Sequence, residues 1–369
     1  MNRTKLGEIL SVKHGWAFKG EYFAENGEQS ILTPGNFLEK GGFKPNNGKE
    51  RYYIGTYPKE YLCHKGDLIV AMTQQAEGLL GSTALVPENN KYLHNQRIGL
   101  ITCDEKRLNK LFAYYLFMTK SVREQLERSS SGTKVKHTSP EKIYDVEVEI
   151  PDVISQQKIA NLLWSIDEKI TNNNAINDNL EQQMHLIFEN MMAKAATHKL
   201  AGKYTIAQNF ATVVTGKEDA NFSVPNGKYK FFTCSNMPLL CDDYVFDSSS
   251  ILIAGNGDFN VKHYSGKFNA YQRTYVLTPD KKYFALLYLA SLYRINSFKS
   301  RSSGSIVKFI TKSDVENIPV FIPNDMFYLQ ELNKLIYLQE QNKLENELLV
   351  NLRDWLLPML MNGQATIND

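Results

Sequence analysis

The sequence predicts an α+β chain in which two duplicated, mostly-β domains carrying helices are separated by two long helices that form an antiparallel coiled coil. Three observations predict it. Residues 152–200 contain no Gly or Pro and carry an apolar stripe at coiled-coil spacing; the asparagines interrupting that stripe recur near the C-terminus; and four short segments recur in the same order in the two halves. The predicted boundaries are 1–151 for the first domain, 152–200 for a central spacer helix, 201–323 for the second domain and 324–369 for a C-terminal spacer helix.

The central helix comes first because it organises the rest. Alternate steps of four and three from Ile159 reach Leu163, Ile166, Ile170, Asn173, Asn177, Leu180, Met184, Ile187 and Met191. Only the asparagines are polar, so the stripe repeats every 3.5 residues, as on a helix packed along another helix. Asp152 is placed to cap the start and Gly202 to close the end in a left-handed turn. At 1.5 Å per residue, roughly 40 residues reach about 60 Å, longer than a small domain is wide. A polar residue in such a seam costs stability but fixes register. Asn342 and Asn346 repeat the spacing of Asn173 and Asn177, which predicts matched polar layers in an antiparallel pair. A solvated helix edge is the competing reading of these four.

The internal repeat defines the domains. Ile31–Phe37 resembles Phe231–Met237, Gly66–Ala71 resembles Ser249–Ala254, Asn95–Leu100 resembles Tyr271–Val276, and Ser131–Lys136 resembles Ser303–Lys308. An Ile-Pro pair follows in both halves, at 150–151 and 322–323. Each half reads as mostly strand: Asp67–Met72 and Ile251–Ala254 are short buried apolar runs, with turn signals at Gly41-Gly42, Asn46-Asn47-Gly48 and Asn226-Gly227. A helix is predicted late in each half, over Leu108–Leu126 and Tyr283–Phe298, followed by the Ser-rich loops Ser129–Lys134 and Ser300–Ser305. The second long helix starts near Asn324 and presents Leu335, Leu338, Leu349, Leu352 and Leu356. Pro358 should kink or end it, and Gly363 stops it.

Composition narrows the function. A net charge of +2 excludes a global polycation, so any nucleic-acid site must be a local patch. Cys63, Cys103, Cys234 and Cys241 show no Cys-x-x-Cys spacing and read as buried thiols in a reducing compartment, not a zinc site or disulfide framework. The N-terminus lacks the apolar run of a signal peptide, and Phe284–Leu292 is too short to span a bilayer; a cytoplasmic protein is expected.

No catalytic constellation stands out. There is no Pro-Pro dipeptide, so the loop with which amino-methyltransferases hold a flipped base is missing. Gly255-Asn256-Gly257 opens like a dinucleotide loop, but Asn260 replaces the third glycine and a surface turn is the better reading. Pro151-Asp152 with Lys158 lacks the second acid of a nuclease site, so Asp152 reads as a cap. The seven histidines show no His-x-x-x-His spacing, so no metal site is predicted.

What remains are polar loops rich in side chains that pair with base edges and phosphates. In the first half the candidates are Gln74, Gln75, Gln96, Arg97, Lys134, Lys136 and His137. In the second they are Asn256, Asn260, Lys262, His263, Gln272, Arg273, Arg301, Ser302 and Lys308. For each, solvated surface or a local cap is the competing reading, and Arg97 and Arg273 could equally belong to a shared framework. Residues that differ between the halves are the better candidates for sequence readout.

These features resemble the specificity subunits of type I restriction–modification systems. The likeness rests on Leu6-Gly-Glu-Ile9 with His14-Gly-Trp-Ala-Phe18, Gly66-Asp-Leu-Ile69, Ile150-Pro151 leading into Gln156-Gln157-Lys-Ile159, Ile166-Asp-Glu-Lys-Ile170, and the closing Leu352–Gln364 segment. The sequence departs from the family pattern at Gln156, where Glu is usual, at Leu329-Gln330, and in lacking a Gly-x-x-Phe opening to the second domain. The resemblance implies a non-catalytic, sequence-specific DNA-binding subunit. Each target-recognition domain would read half of a bipartite, asymmetric double-stranded site, and the coiled coil would set the gap. The implied partners are methyltransferase (modification) subunits, two of them, and an endonuclease–translocase (restriction) subunit; S-adenosylmethionine, ATP and Mg would be bound by those partners and not by this chain. A type II bipartite-site system, a self-contained DNA-modifying enzyme and a coiled-coil protein-interaction scaffold are the alternatives.

Overall fold

A computed structural model describes residues 1–367 apart from 47, 75, 77, 133, 134, 258 and 302–308, and only the backbone of 297–301. The chain forms two compact units, Met1–Ile170 with Glu347–Asp369, and Thr171–Asn346.

In the first unit the strands are β1 (Asn2–Lys5), β2 (Leu10–His14), β3 (Phe23–Ala24), β4 (Ser30–Ile31), β5 (Tyr52–Tyr53), β6 (Leu68–Ala71), β7 (Thr83–Leu85), β8 (Tyr92–Leu93) and β9 (Ile98–Cys103). Helices α1 (Lys110–Leu116), α2 (Lys120–Ser129) and α3 (Pro140–Tyr144) follow, then β10 (Glu147–Ile150) and the long helix α4 (Val153–Ala196). Strands β1 and β10 pair antiparallel, tying the unit's start to the foot of α4. Two sheets carry the rest, ordered β2-β9-β6-β7 and β3-β5-β4-β8. The apolar run in β6 is continuous because both its faces are covered. Leu68 and Val70 join Leu6, Phe112, Tyr115 and Leu163 in one core, while Ile69 and Ala71 point the other way onto Leu32, Phe37 and Tyr92.

The helix predicted over Leu108–Leu126 is two helices. Thr119 is extended at the N-cap position of α2 and makes no side-chain cap bond; its hydroxyl donates instead to the Leu116 carbonyl at 2.7 Å, back toward α1. At the start of α4 the predicted cap is present: Asp152 accepts from the Ser155 N–H at 3.0 Å and its hydroxyl at 2.7 Å, which holds the carboxyl below its ordinary range. Gln156, fully buried, accepts from the Asn109 N–H and donates to the carbonyls of Arg107 and Pro151. Both halves of its amide are used, so glutamine joins the helix to the domain in a way a carboxylate could not.

The second unit repeats the plan with β11 (Gly202–Ile206), β12 (Ala211–Thr215), β13 (Tyr229–Phe232), β14 (Leu239–Cys241), β15 (Phe246–Ala254), β16 (Val261–Ala270), β17 (Thr274–Pro279), α5 (Phe284–Arg301), α6 (Lys312–Glu316), β18 (Pro319–Pro323) and α7 (Met326–Met361). Strands β11 and β18 pair as β1 and β10 do, and one six-stranded sheet runs β12-β17-β15-β16-β13-β14. In β15, Ile251 and Ile253 face the large core while Leu252 faces the opposite one, as in β6.

Along α4, Ile159, Leu163, Ile166, Asn173, Asn177, Leu180, Met184 and Met191 are buried, and Ile170 and Ile187 half-buried, so the predicted stripe is the packed face. The polar layers pair as their spacing implied. Asn173 donates to Asn346 Oδ1 at 2.9 Å and to Glu345, and Asn342 donates to Asn177 Oδ1 at 3.0 Å. Numbers rise on one helix as they fall on the other, so the pair is antiparallel. Two terminal expectations are corrected. Gly202 does not close α4; His198 takes the left-handed conformation, at φ 53°, while Gly202 opens β11 opposite Pro323. Pro358 does not end α7, which runs on to Met361 before Gly363 turns at φ 67°. Of the four thiols, Cys63 and Cys241 are buried and Cys103 and Cys234 half-buried, all free. Among the described residues no helix is long and apolar enough to cross a membrane.

Candidate nucleic-acid interface

At one end of the β2-β9-β6-β7 sheet, backbone bonds draw the first-half candidates together. The Met72 N–H donates to the Arg97 carbonyl at 3.1 Å, and the Met72 carbonyl accepts from the Thr138 N–H at 2.9 Å. One residue pair on, the Gln74 N–H donates to the Lys136 carbonyl at 2.9 Å, and Thr73 Oγ1 bonds His137 Nδ1 at 3.0 Å. Gln74, Arg97, Lys136 and His137 therefore sit on three adjoining segments. Gln96 and Arg97 occupy a tight turn, closed by the Ile98 N–H on the Asn95 carbonyl, with both side chains exposed. Lys136 is less available, being paired with Glu127. Gln75 and Lys134 lie outside the described residues.

The same turn lines a cleft of about 440 Å³, together with Phe18, Ile31, Pro34, Asn46, Lys49 and Arg51. Its lining holds three cations and no carboxylate, an arrangement suited to a phosphate backbone. Sequence reasoning missed Asn46, Lys49 and Arg51. Their only signal was the Asn46-Asn47-Gly48 turn, and Glu50 between the two cations halved the local charge.

The second unit builds the same edge from the repeated segments. The Gly255 N–H donates to the Arg273 carbonyl at 2.8 Å, and the Ile310 N–H to the Gly255 carbonyl at 2.9 Å. Gln272 and Arg273 again occupy the turn, closed by the Thr274 N–H on the Tyr271 carbonyl, with exposed side chains. Asn256 lies beside them, half-buried. One shared constraint escaped the sequence comparison: a Cβ on Gly15 would stand 2.1 Å from the Asn95 carbonyl oxygen, and one on Gly216 the same 2.1 Å from that of Ala270. In both units only glycine lets the strand pass behind this turn.

A profile described as the type I restriction modification DNA specificity domain matches residues 1–182 and again 202–350, together most of the chain. The chain belongs to this family. Among curated members, it is 36% identical over 159 residues to the type I restriction enzyme EcoDI specificity subunit of Escherichia coli, covering 41% of this chain and 36% of that one. The MjaIX specificity subunit of Methanocaldococcus jannaschii is 22% identical over 303 residues, covering 70% and 69% of the two chains. The chain thus matches only about a third of the length of the EcoDI relative. The crystal structure of a type I restriction–modification S subunit from M. genitalium superposes with a TM-score of 0.63 at 18% identity, covering 98% of this chain and 96% of that one, and shares the fold.

Within this specificity-family fold three predicted contact residues turn inward. Asn260 donates to the Cys234 carbonyl at 2.7 Å, and Lys262 donates to the carbonyls of Thr233 at 3.0 Å and Ser235. Burial pushes the Lys262 ammonium down to about 8. Both side chains tie down the loop after β13 through its carbonyls. His263, with its side chain 2% exposed, bonds Glu340 and Gln339 on α7. The sequence could not show this, because its partners are far away in the chain. Ser302 and Lys308, and the side chain of Arg301, lie outside the described residues.

Proposed function

We propose that this specificity subunit reads a bipartite, asymmetric DNA duplex site, each recognition unit contacting one half, with the paired helices setting the spacer between halves. The observation that carries the proposal is one edge built twice with different side chains. A common frame (Gly15 and Gly216, Arg97 and Arg273) presents Gln74, Lys136 and His137 in one unit, and Asn256 and Phe309, which is 71% exposed, in the other. Two readers on one plan would see two different half-sites.

Methylation and cleavage would be supplied by modification and restriction subunits that bind S-adenosylmethionine, ATP and Mg. Docking faces for such partners exist on α7. Leu348, Leu352 and Trp355, at helical spacing in the first unit, are 62%, 44% and 60% exposed, and Tyr337 and Leu344 are exposed in the second. Large apolar side chains in a row on a surface helix mark an interface.

The test uses the complex assembled with its modification subunits and maps methylated sites. Arg97→Ala should relax or weaken one half-site only, and Arg273→Ala the other. If the arginine reads a base, the loss at that position is about 1–3 kcal/mol; if it holds a phosphate, the salt slope falls by about one. Unchanged site preference and salt dependence in both variants would remove these edges from the interface.

A further inference from the structure

The alternation of β16 gives its side chains two tasks. Lys262 and Tyr264 face the loop after β13 and Phe232, while His263 and Ser265 face α7. The His263 ring packs edge-on against Tyr288 at 4.8 Å. Its Nδ1 lies 3.0 Å from Glu340 Oε1, and its Nε2 lies 3.1 Å from Gln339 Oε1 and 3.2 Å from Lys343 Nζ. Ser265 Oγ donates to the same carboxylate, 3.1 and 3.2 Å from its two oxygens. Burial alone would raise the Glu340 carboxyl, but the bonds from His263 and Ser265 hold it below its ordinary range.

We infer that His263, Ser265 and Glu340 form a lock that fixes the orientation of the second recognition unit on α7, and so sets how narrowly spacer length is discriminated. This rests on the bipartite reading above. Apolar packing between a sheet and a helix tolerates small rotations; a half-buried carboxylate bonded from two directions does not. The lock is also close to the reading edge, since β16 begins at Val261, and the N–H of Ala254, next to Gly255, donates to the Asn260 carbonyl at 2.9 Å. Three residues of strand span about 10 Å, so a rotation of about 15° at His263 would swing that edge by roughly 3 Å, nearly one base-pair rise. The first unit has a counterpart. Arg353 on α7 donates to Asp167 on α4 at 2.8 Å, Asp167 accepts from the Tyr115 hydroxyl at 2.6 Å, and Lys40 reaches Asp354 at 2.8 Å.

The experiment compares wild-type and Glu340→Ala complexes, each assembled with modification subunits, by mapping methylated sites genome-wide. The wild type defines the native spacer. The lock predicts that Glu340→Ala keeps both half-sites but raises methylation at spacers one base pair shorter or longer, relative to the native spacer, by roughly tenfold, the effect of losing a charge-assisted bond. Glu340→Gln, which can still accept from Ser265 and His263, should give an intermediate spread. A side chain that served only stability would lower methylation at every site and leave the spread unchanged; that result overturns the lock. Should Glu340→Ala fail to assemble, His263→Asn and Ser265→Ala remove the same bonds from the domain side and must broaden the spread. A wild type without a fixed spacer would instead sink the bipartite reading, and this inference with it.

Discussion

Arg123→Leu probes how the first reading edge is held. The guanidinium is largely withdrawn from water and, among the described residues, bonds no carboxylate; it donates to the carbonyls of Phe117 at 2.7 Å, Gly78 and Leu80 at 2.8 Å, and Glu39 at 3.3 Å. Burial pushes its pKa down to about 10, still protonated at neutral pH. One fork thus joins the break between α1 and α2 to the loop that follows Gln74. Leucine leaves four carbonyls without this donor, each costing about 1–3 kcal/mol if no water replaces it. Relief from burying a charge offsets part of that, leaving a net loss of about 2–4 kcal/mol. For a unit of roughly 200 residues, each kcal/mol moves Tm by about 2–4 °C, so the first unit should melt roughly 5–15 °C lower. Calorimetry of the full chain should show that shift while the second unit's transition stays in place. Site mapping should show a weakened first half-site, because the freed loop no longer holds Gln74 against Lys136. Arg123→Lys should recover only part of the loss, since an ammonium cannot fork to carbonyls on three segments. An unchanged Tm together with an unchanged half-site would refute the clamp.

Two further outcomes follow from buried polar groups. Asn177→Leu alone should destabilise the helix pair by about 1–3 kcal/mol by stripping Asn342 of its acceptor, whereas the Asn177→Leu/Asn342→Leu double variant should recover that loss but blur register, read as a wider range of methylated spacers; a double variant as unstable as the single one would contradict this. His94 is 1% exposed and donates from Nε2 to the Ile98 carbonyl at 2.8 Å; burial pushes its pKa down to about 4. A depressed histidine contributes stability that is complete above its unfolded pKa of about 6.5 and is lost as pH falls toward 4, up to about 3 kcal/mol. Thermal melts between pH 6.5 and 5, before most carboxylates titrate, should show the decline in wild type and a flatter profile in His94→Gln; parallel profiles would contradict the assignment.

The helical pair and the duplication were legible because their signals are periodic and local. The stripe from Ile159 to Met191 and the two asparagine layers needed only residue spacing, and the Asn95–Leu100 and Tyr271–Val276 repeat marks the same turn in both units. Thr119 was illegible as a break because nothing in the residue pattern distinguishes a threonine with an extended backbone from one inside a helix. Pro358 does not end α7, because the last turn survives the loss of one donor. The inward turn of Asn260, Lys262 and His263 depends on carbonyls after β13 and on Glu340, partners that no local pattern reveals.

The central claim is that the paired helices measure the gap between two half-sites, and lengthening both tests it most directly. Four residues inserted between Asn173 and Asn177, with four more between Asn342 and Asn346, add about one turn and about 6 Å to each helix while leaving the flanking layers near register. At about 3.4 Å per base pair, that length corresponds to roughly two base pairs, or one if the pair flexes. Methylated-site mapping of the assembled variant should return the same two half-sites with the spacer longer by one or two base pairs. Full methylation at the original spacer would contradict the account.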